Sequence, residues 1–128
     1  MILGIGIDII DINRIDKTLK RFGNRFINKC YSSKEINKSK EILNKSNYFA
    51  KKYAAKEACS KALGTGLSKG IFWKDIEIDN NHDGKPKINL YNNAIKRINI
   101  MTNKNYKIDI SISDEKKYAI ANVIISEV

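Results

Sequence analysis

The chain is poor in the residues that interrupt or staple a fold. A single proline in 128 residues leaves no Pro-rich linker, and no internal repeat divides the chain. Two cysteines, Cys30 and Cys59, are too few for a disulfide framework, and their spacing fits no metal site. They are expected to be reduced thiols packed as small apolar residues. No apolar run is long enough to cross a bilayer. The first ten residues, MILGIGIDII, lack the basic leader and small-residue cleavage site of a signal peptide. A soluble, cytoplasmic protein with no membrane partner is the expectation.

Acids are also short. Fourteen Asp and Glu face 24 Lys and Arg, a net charge of +10. The excess admits two readings: an anionic partner, or compositional drift in a chain rich in Asn, Ile and Lys. Nucleic acid is the first anionic partner to consider. The aromatics are scattered, however, and no RNA-binding signature is present.

What remains is enough for one core: 42% of the residues are hydrophobic, and the length suits a single domain over 1–128. Residues 2–10 read as a buried strand, with Leu3, Ile5, Ile7 and Ile9 on one side and Gly4, Gly6 and Asp8 on the other. Residues 12–22 read as an amphipathic helix inward at Ile12, Ile15, Leu19 and Phe22 and stopped by Gly23. Ser32 and Glu35 have capping-box spacing for a second helix. A third helix runs from about 47 to 63 and stops at Gly64. Strands are expected at 74–79, 87–91, 108–113 and 118–126, with an Asp83-Gly84 turn. A helix at 92–101 turns Ile95, Ile98 and Met101 inward. The class is α+β, an antiparallel sheet packed with a long helix.

The segment YFAKKYAAKEACSKALGTG holds one acid, Glu57. On a helical wheel Glu57 and Lys61 fall on the alanine stripe, whereas Lys52 and Lys56 project elsewhere. Taken alone, this is an i,i+4 ion pair on an exposed helix. Two further features change the weighing. Asp8 occupies a Gly-flanked strand position, and glycines in a strand mark a close approach. GTGLSKG (64–70) has the glycines to turn backbone N–H groups towards a phosphate. Asp8, Glu57, Lys61 and the loop together suggest a Mg²⁺–phosphate site, since magnesium takes few protein carboxylates and leaves room for phosphate oxygens.

The segments GIGIDII, FAKKYAAKEACSKALGTG, KDIEI, DGKP and SISDEKKYAIANVII, in that order, resemble the holo-[acyl-carrier-protein] synthases. These are the short trimeric class of 4′-phosphopantetheinyl transferases, and the likeness covers nearly the whole chain. The resemblance implies the fold of that family and a homotrimer with active sites between subunits. It implies transfer of the 4′-phosphopantetheine arm of coenzyme A to a serine of apo acyl carrier protein, in support of fatty acid biosynthesis. Adenosine 3′,5′-bisphosphate is the other product. Asp8 and Glu57 match the metal ligands, and Lys61 matches a lysine that contacts the coenzyme phosphates. Gly64, Thr65 and Gly66 match the coenzyme loop. Lys52 falls where an arginine often faces the nucleotide. Arg14, Arg21 and Arg25 resemble the basic residues that dock the acidic carrier. Asp114 stands where some members have a histidine, and is open between a ribose or adenine contact and a turn role. His82 matches no catalytic position. The acceptor of the serine proton is open between Glu57, directly or through water, and a water on Mg²⁺ alone.

Overall fold

The computed structural model describes residues 1–68 and 70–128. The chain starts with strand β1 (Ile2–Asp11), which runs directly into α1 (Ile12–Phe22). The Asp11 side chain makes the boundary by accepting the Asn13 N–H at 2.9 Å. Gly23 ends α1 at φ +54°, its N–H returning to the Leu19 carbonyl. Helices α2 (Asn24–Cys30), α3 (Ser33–Ser39) and α4 (Lys45–Ala62) follow. No expectation covered α2, a seven-residue helix with Phe26, Ile27 and Cys30 turned inward or partly so. The capping box of α3 forms as read, with Ser32 and Glu35 bonded reciprocally.

The second half holds β2 (Ile76–Asn80), β3 (Pro86–Leu90), α5 (Asn93–Met101), β4 (Tyr106–Asp114) and β5 (Tyr118–Glu127). The strand expected at 74 begins two residues later. The Asp75 carboxylate captures the Phe72 N–H at 2.9 Å, and residues 73–75 curl into a 3-10 turn. Ile95 lies outward at 40% exposure, because α5 turns Ala94, Ile98 and Met101 towards the core. Strands β1, β5 and β4 form one antiparallel sheet with β5 in the middle; β2 and β3 make a separate hairpin.

Helix α4 lies across β1 and β5. Five of its alanines, at 50, 54, 55, 58 and 62, are buried. The strand glycines serve this approach: a Cβ at Gly6 would stand 1.8 Å from the Ala58 carbonyl oxygen, and one at Gly4 1.9 Å from that of Ala62. The close partner of the glycine face is therefore the α4 backbone.

The other face of β1 departs from expectation. Ile5, Ile7 and Ile9 are 60%, 56% and 62% exposed. β1 is an edge strand covered by α4 on one side alone, so Ile5, Ile7 and Ile9 lie open beside Ile124, Asn122 and Ile120, their register partners on β5.

Helix α4 also carries a buried ion pair. The Lys56 ammonium lies 2.8 Å from Glu35 Oε1, and both side chains are fully enclosed. Glu35 also accepts the N–H groups of Ser32 (2.7 Å) and Ile78 (2.8 Å), and Lys56 donates to the carbonyls of Trp73 and Ile76. One carboxylate thus ties α3, α4 and β2, and every polar atom of the pair is satisfied.

Candidate active site

The close crossing of α4 over β1 decides what stands at its margin. Asp8 follows Gly6 on the same face of β1. Glu57 and Lys61 lie on α4 beside Ala58 and Ala62, the residues packed on Gly6 and Gly4. The Lys61 ammonium donates to Asp8 Oδ1 at 3.2 Å and to the Ile7 carbonyl at 2.9 Å. The Glu57 carboxyl is held above its ordinary pKa, first by burial and then by the negative charge of Asp8; Lys61 and Arg14 oppose this. Two carboxylates from separate elements therefore sense each other across a partly desolvated margin, with Lys61 against one of them.

Arg14 belongs here as well. Its charge reaches Glu57 from α1, a proximity that a wheel of α4 alone does not contain. Tyr53, one turn before Glu57, stacks on Trp73 at 4.5 Å. Its hydroxyl is pushed up to about 12, by burial and then by Glu57.

The N–H groups of the glycine loop point elsewhere than its composition suggests. Gly64 and Gly66 take left-handed φ values of +81° and +61°. The N–H of Gly64 donates to the Lys61 carbonyl at 2.9 Å, and those of Thr65 and Gly66 to Ser60 at 3.3 and 3.0 Å. These donors cap the C-terminus of α4 and do not face outwards towards a phosphate. The Thr65 hydroxyl donates to the Gly66 carbonyl. At Gly66 a side chain would meet nothing within 4 Å, so the turn leaves open space on its outer side. Lys69, in the same stretch, lies outside the described residues.

Lys52 does not join this group. Its ammonium is buried 3.4 Å from the Ile78 carbonyl and 4.8 Å from the Tyr48 ring centroid. Burial pulls its pKa down to about 8, with Glu35 opposing. The physical reason is the pitch of α4: positions 52 and 56 face β2, whereas 57 and 61 face β1. The lysines of α4 are thus not one cradle.

Arg14, Arg21 and Phe22 line a groove of about 320 Å³ on α1, and Phe22, Arg25 and Lys29 continue it in a second of about 250 Å³. Phe22, expected inward, is 41% exposed; the guanidinium groups of Arg21 and Arg25 stand 5.0 and 5.7 Å from its ring centre. Asp114 ends β4 and accepts a hydrogen bond from Asn47 Nδ2 at 2.7 Å, which fastens it to the start of α4. His82 is exposed in the β2–β3 turn.

Two carboxylates and a lysine at one margin of an α+β fold suit chemistry on a phosphate ester. The chain belongs to the 4′-phosphopantetheinyl transferase superfamily, whose family model matches residues 4–123. Among curated proteins it is 48% identical over 127 residues to the holo-[acyl-carrier-protein] synthase of Sinorhizobium fredii, covering 98% of this chain and 91% of that one. The crystal structure of the Neisseria meningitidis holo-[acyl-carrier-protein] synthase superposes with a TM-score of 0.87 at 32% identity, covering 99% of this chain and 100% of that one. That of the Helicobacter pylori enzyme, in complex with coenzyme A, does so with a TM-score of 0.81 at 37% identity, covering 95% and 99%.

Proposed function

We propose that this chain transfers the 4′-phosphopantetheine arm of coenzyme A to a serine hydroxyl of apo acyl carrier protein and releases adenosine 3′,5′-bisphosphate. The observation that carries the reading is the meeting of Asp8 from β1 with Glu57 and Lys61 from α4. The serine oxygen forms a bond to the phosphorus that bears the pantetheine arm. The phosphoanhydride bond breaks, and the bisphosphate leaves with the bonding electrons. The serine proton passes to an acceptor at the site.

The donor set fits a magnesium ion. Two hard carboxylate oxygen donors, the negative charge of one raising the pKa of the other, suit a divalent cation that keeps most of its positions for water and substrate phosphate. Among the described residues no cluster of three His, Cys, Asp or Glu side chains is present. Asp8 and Glu57 would hold it, and when bound it supplies positive charge against the phosphate oxygens. Lys61 adds a half-exposed cation at the same margin. The glycine turn of 64–66 contributes room beside Lys61.

The carrier docks, in this reading, on the groove of Arg14, Arg21 and Arg25. Basic residues around an exposed Phe22 suit an acidic amphipathic helix, apolar contact in the middle and charge at the rim. The open apolar face of Ile5, Ile7 and Ile9 suits subunit packing, and a homotrimer is the assembly that we propose. No helix of the described residues is long and apolar enough to cross a membrane. The proposed setting is the cytoplasm, in support of fatty acid biosynthesis.

One assay tests the reading. The protein is mixed with apo acyl carrier protein, coenzyme A and Mg²⁺, and the carrier is weighed by mass spectrometry. The expected result is the mass gain of one phosphopantetheine arm, prevented by EDTA. No gain with several carriers overturns the transferase reading, and a gain that persists in EDTA overturns the magnesium assignment.

A further inference from the structure

We infer that Asn93 and Arg97 of α5 are positioning residues that hold Leu63 and Gly70, on either side of the Gly64–Gly66 turn, for coenzyme binding; this rests on reading that turn as part of the coenzyme site. Arg97 Nε donates to the Leu63 carbonyl at 2.6 Å, where the loop leaves α4. Asn93 Nδ2 donates to the Gly70 carbonyl at 2.8 Å, where the loop ends. The two side chains are four residues apart, so they stand one above the other on one face of α5. A single helical turn thus holds both ends of the loop.

The glycines at these ends match the clamp. Gly64 and Gly70 have φ of +81° and +79°. A Cβ at Gly64 would stand 3.0 Å from Arg97 Nη2, and one at Gly70 would stand 2.9 Å from Asn93 Nδ2. Each glycine therefore supplies a left-handed turn and also the volume that its clamp side chain fills. Ala94 and Ile98, each directly after a clamp residue, are buried and seat α5 on the core, so the clamp is attached to something rigid. Among the described residues no carboxylate pairs with Arg97, which leaves the loop carbonyl as the partner of its Nε. A cavity of about 220 Å³ remains between α5 and Thr65, bordered by Lys96 and Arg97. The turn is thus tied at the α4 carbonyls by its own N–H groups and at Leu63 and Gly70 by α5, and Lys61 lies in the last turn of α4 before it.

The test uses full-length Arg97→Ala, Asn93→Ala and Arg97→Lys. Hydrogen exchange of the peptide covering 63–70 reads the loop, calorimetry reads the coenzyme A Kd, and steady-state kinetics reads the KM for carrier protein. The alanine variants are expected to exchange faster in the loop and to bind coenzyme A about tenfold more weakly, the size of one lost hydrogen bond. The carrier KM should not change. Arg97→Lys, which keeps a donor for the Leu63 carbonyl, should recover most of the affinity. Unchanged loop exchange, or wild-type coenzyme affinity with a loosened loop, overturns the inference. If Arg97→Ala does not fold, Asn93→Ala carries the same comparison. A wild-type protein that binds no coenzyme A overturns the coenzyme-site reading itself; wild-type binding with indifferent variants removes the clamp alone.

Discussion

Gly6 lies directly beneath the carbonyl of Ala58, with a Cβ excluded at 1.8 Å. The contact is backbone to backbone, so no rotamer change relieves it. Gly6→Ala is expected to cost about 3 kcal/mol or more of stability, the upper range of overpacking. It should also lower transfer, because α4 would lift from β1 and carry Glu57 and Lys61 away from Asp8. Urea unfolding and transfer rate check this; wild-type stability would show that the crossing is looser than described.

The Glu57 carboxyl is raised by burial and by Asp8. Asp8→Asn removes the second cause and keeps the first. The Glu57 carboxyl should then titrate at lower pH than in the wild type, as followed by carbon NMR of that side chain in chelator. An unchanged titration would separate the two carboxylates electrically and weaken their assignment to one cation.

The Glu35–Lys56 pair is fully enclosed. Glu35→Gln leaves the Lys56 charge without its counter-ion and should destabilise by about 3–5 kcal/mol. Glu35→Gln combined with Lys56→Met should recover part of that loss, since no buried charge is left. A double variant no more stable than the single one, measured by urea unfolding, contradicts this account.

Lys52 binds its proton less readily in the folded chain, at about 8 against an ordinary 10.5, because it is buried. Between those two values the unfolded chain holds more protons, so this group makes stability rise with pH across that window. Lys52→Met should be the more stable protein at pH 7 and should lack that share of the rise. Parallel stability–pH curves for the two proteins would refute the assignment.

Arg14 both lines the α1 groove and lends its charge to Glu57. Arg21→Ala and Arg25→Ala should raise the carrier KM several-fold, less so at high salt, with the coenzyme KM unchanged. Arg14→Ala should raise the carrier KM and also lower kcat. Carrier kinetics indifferent to all three would move the docking surface elsewhere.

Much of this was legible in the chain itself. Periodicity located α1, α4, α5 and the strands to within a few residues, because amphipathic patterns of 3.6 and 2 residues are local properties. Ser32 and Glu35 announced their capping box for the same reason. The wheel also separated Glu57 and Lys61 from Lys52 and Lys56. It could not say what each pair would face, since that depends on which strand each side of α4 packs against.

Only the tertiary structure decided the rest. It named α4 as the close partner of the β1 glycines, because a glycine in a strand marks a close approach without saying which distant segment makes it. It left Ile5, Ile7 and Ile9 open on an edge strand whose alternation reads the same whether one face or both are covered. It turned the N–H groups of Gly64, Thr65 and Gly66 back onto α4, because the end of a helix must satisfy its last carbonyls before a loop can offer donors to anything else. The sequence determined which residues could do the chemistry. Packing across the 53 positions from Asp8 to Lys61 determined that Asp8, Glu57 and Lys61 stand at one margin and Lys52 does not.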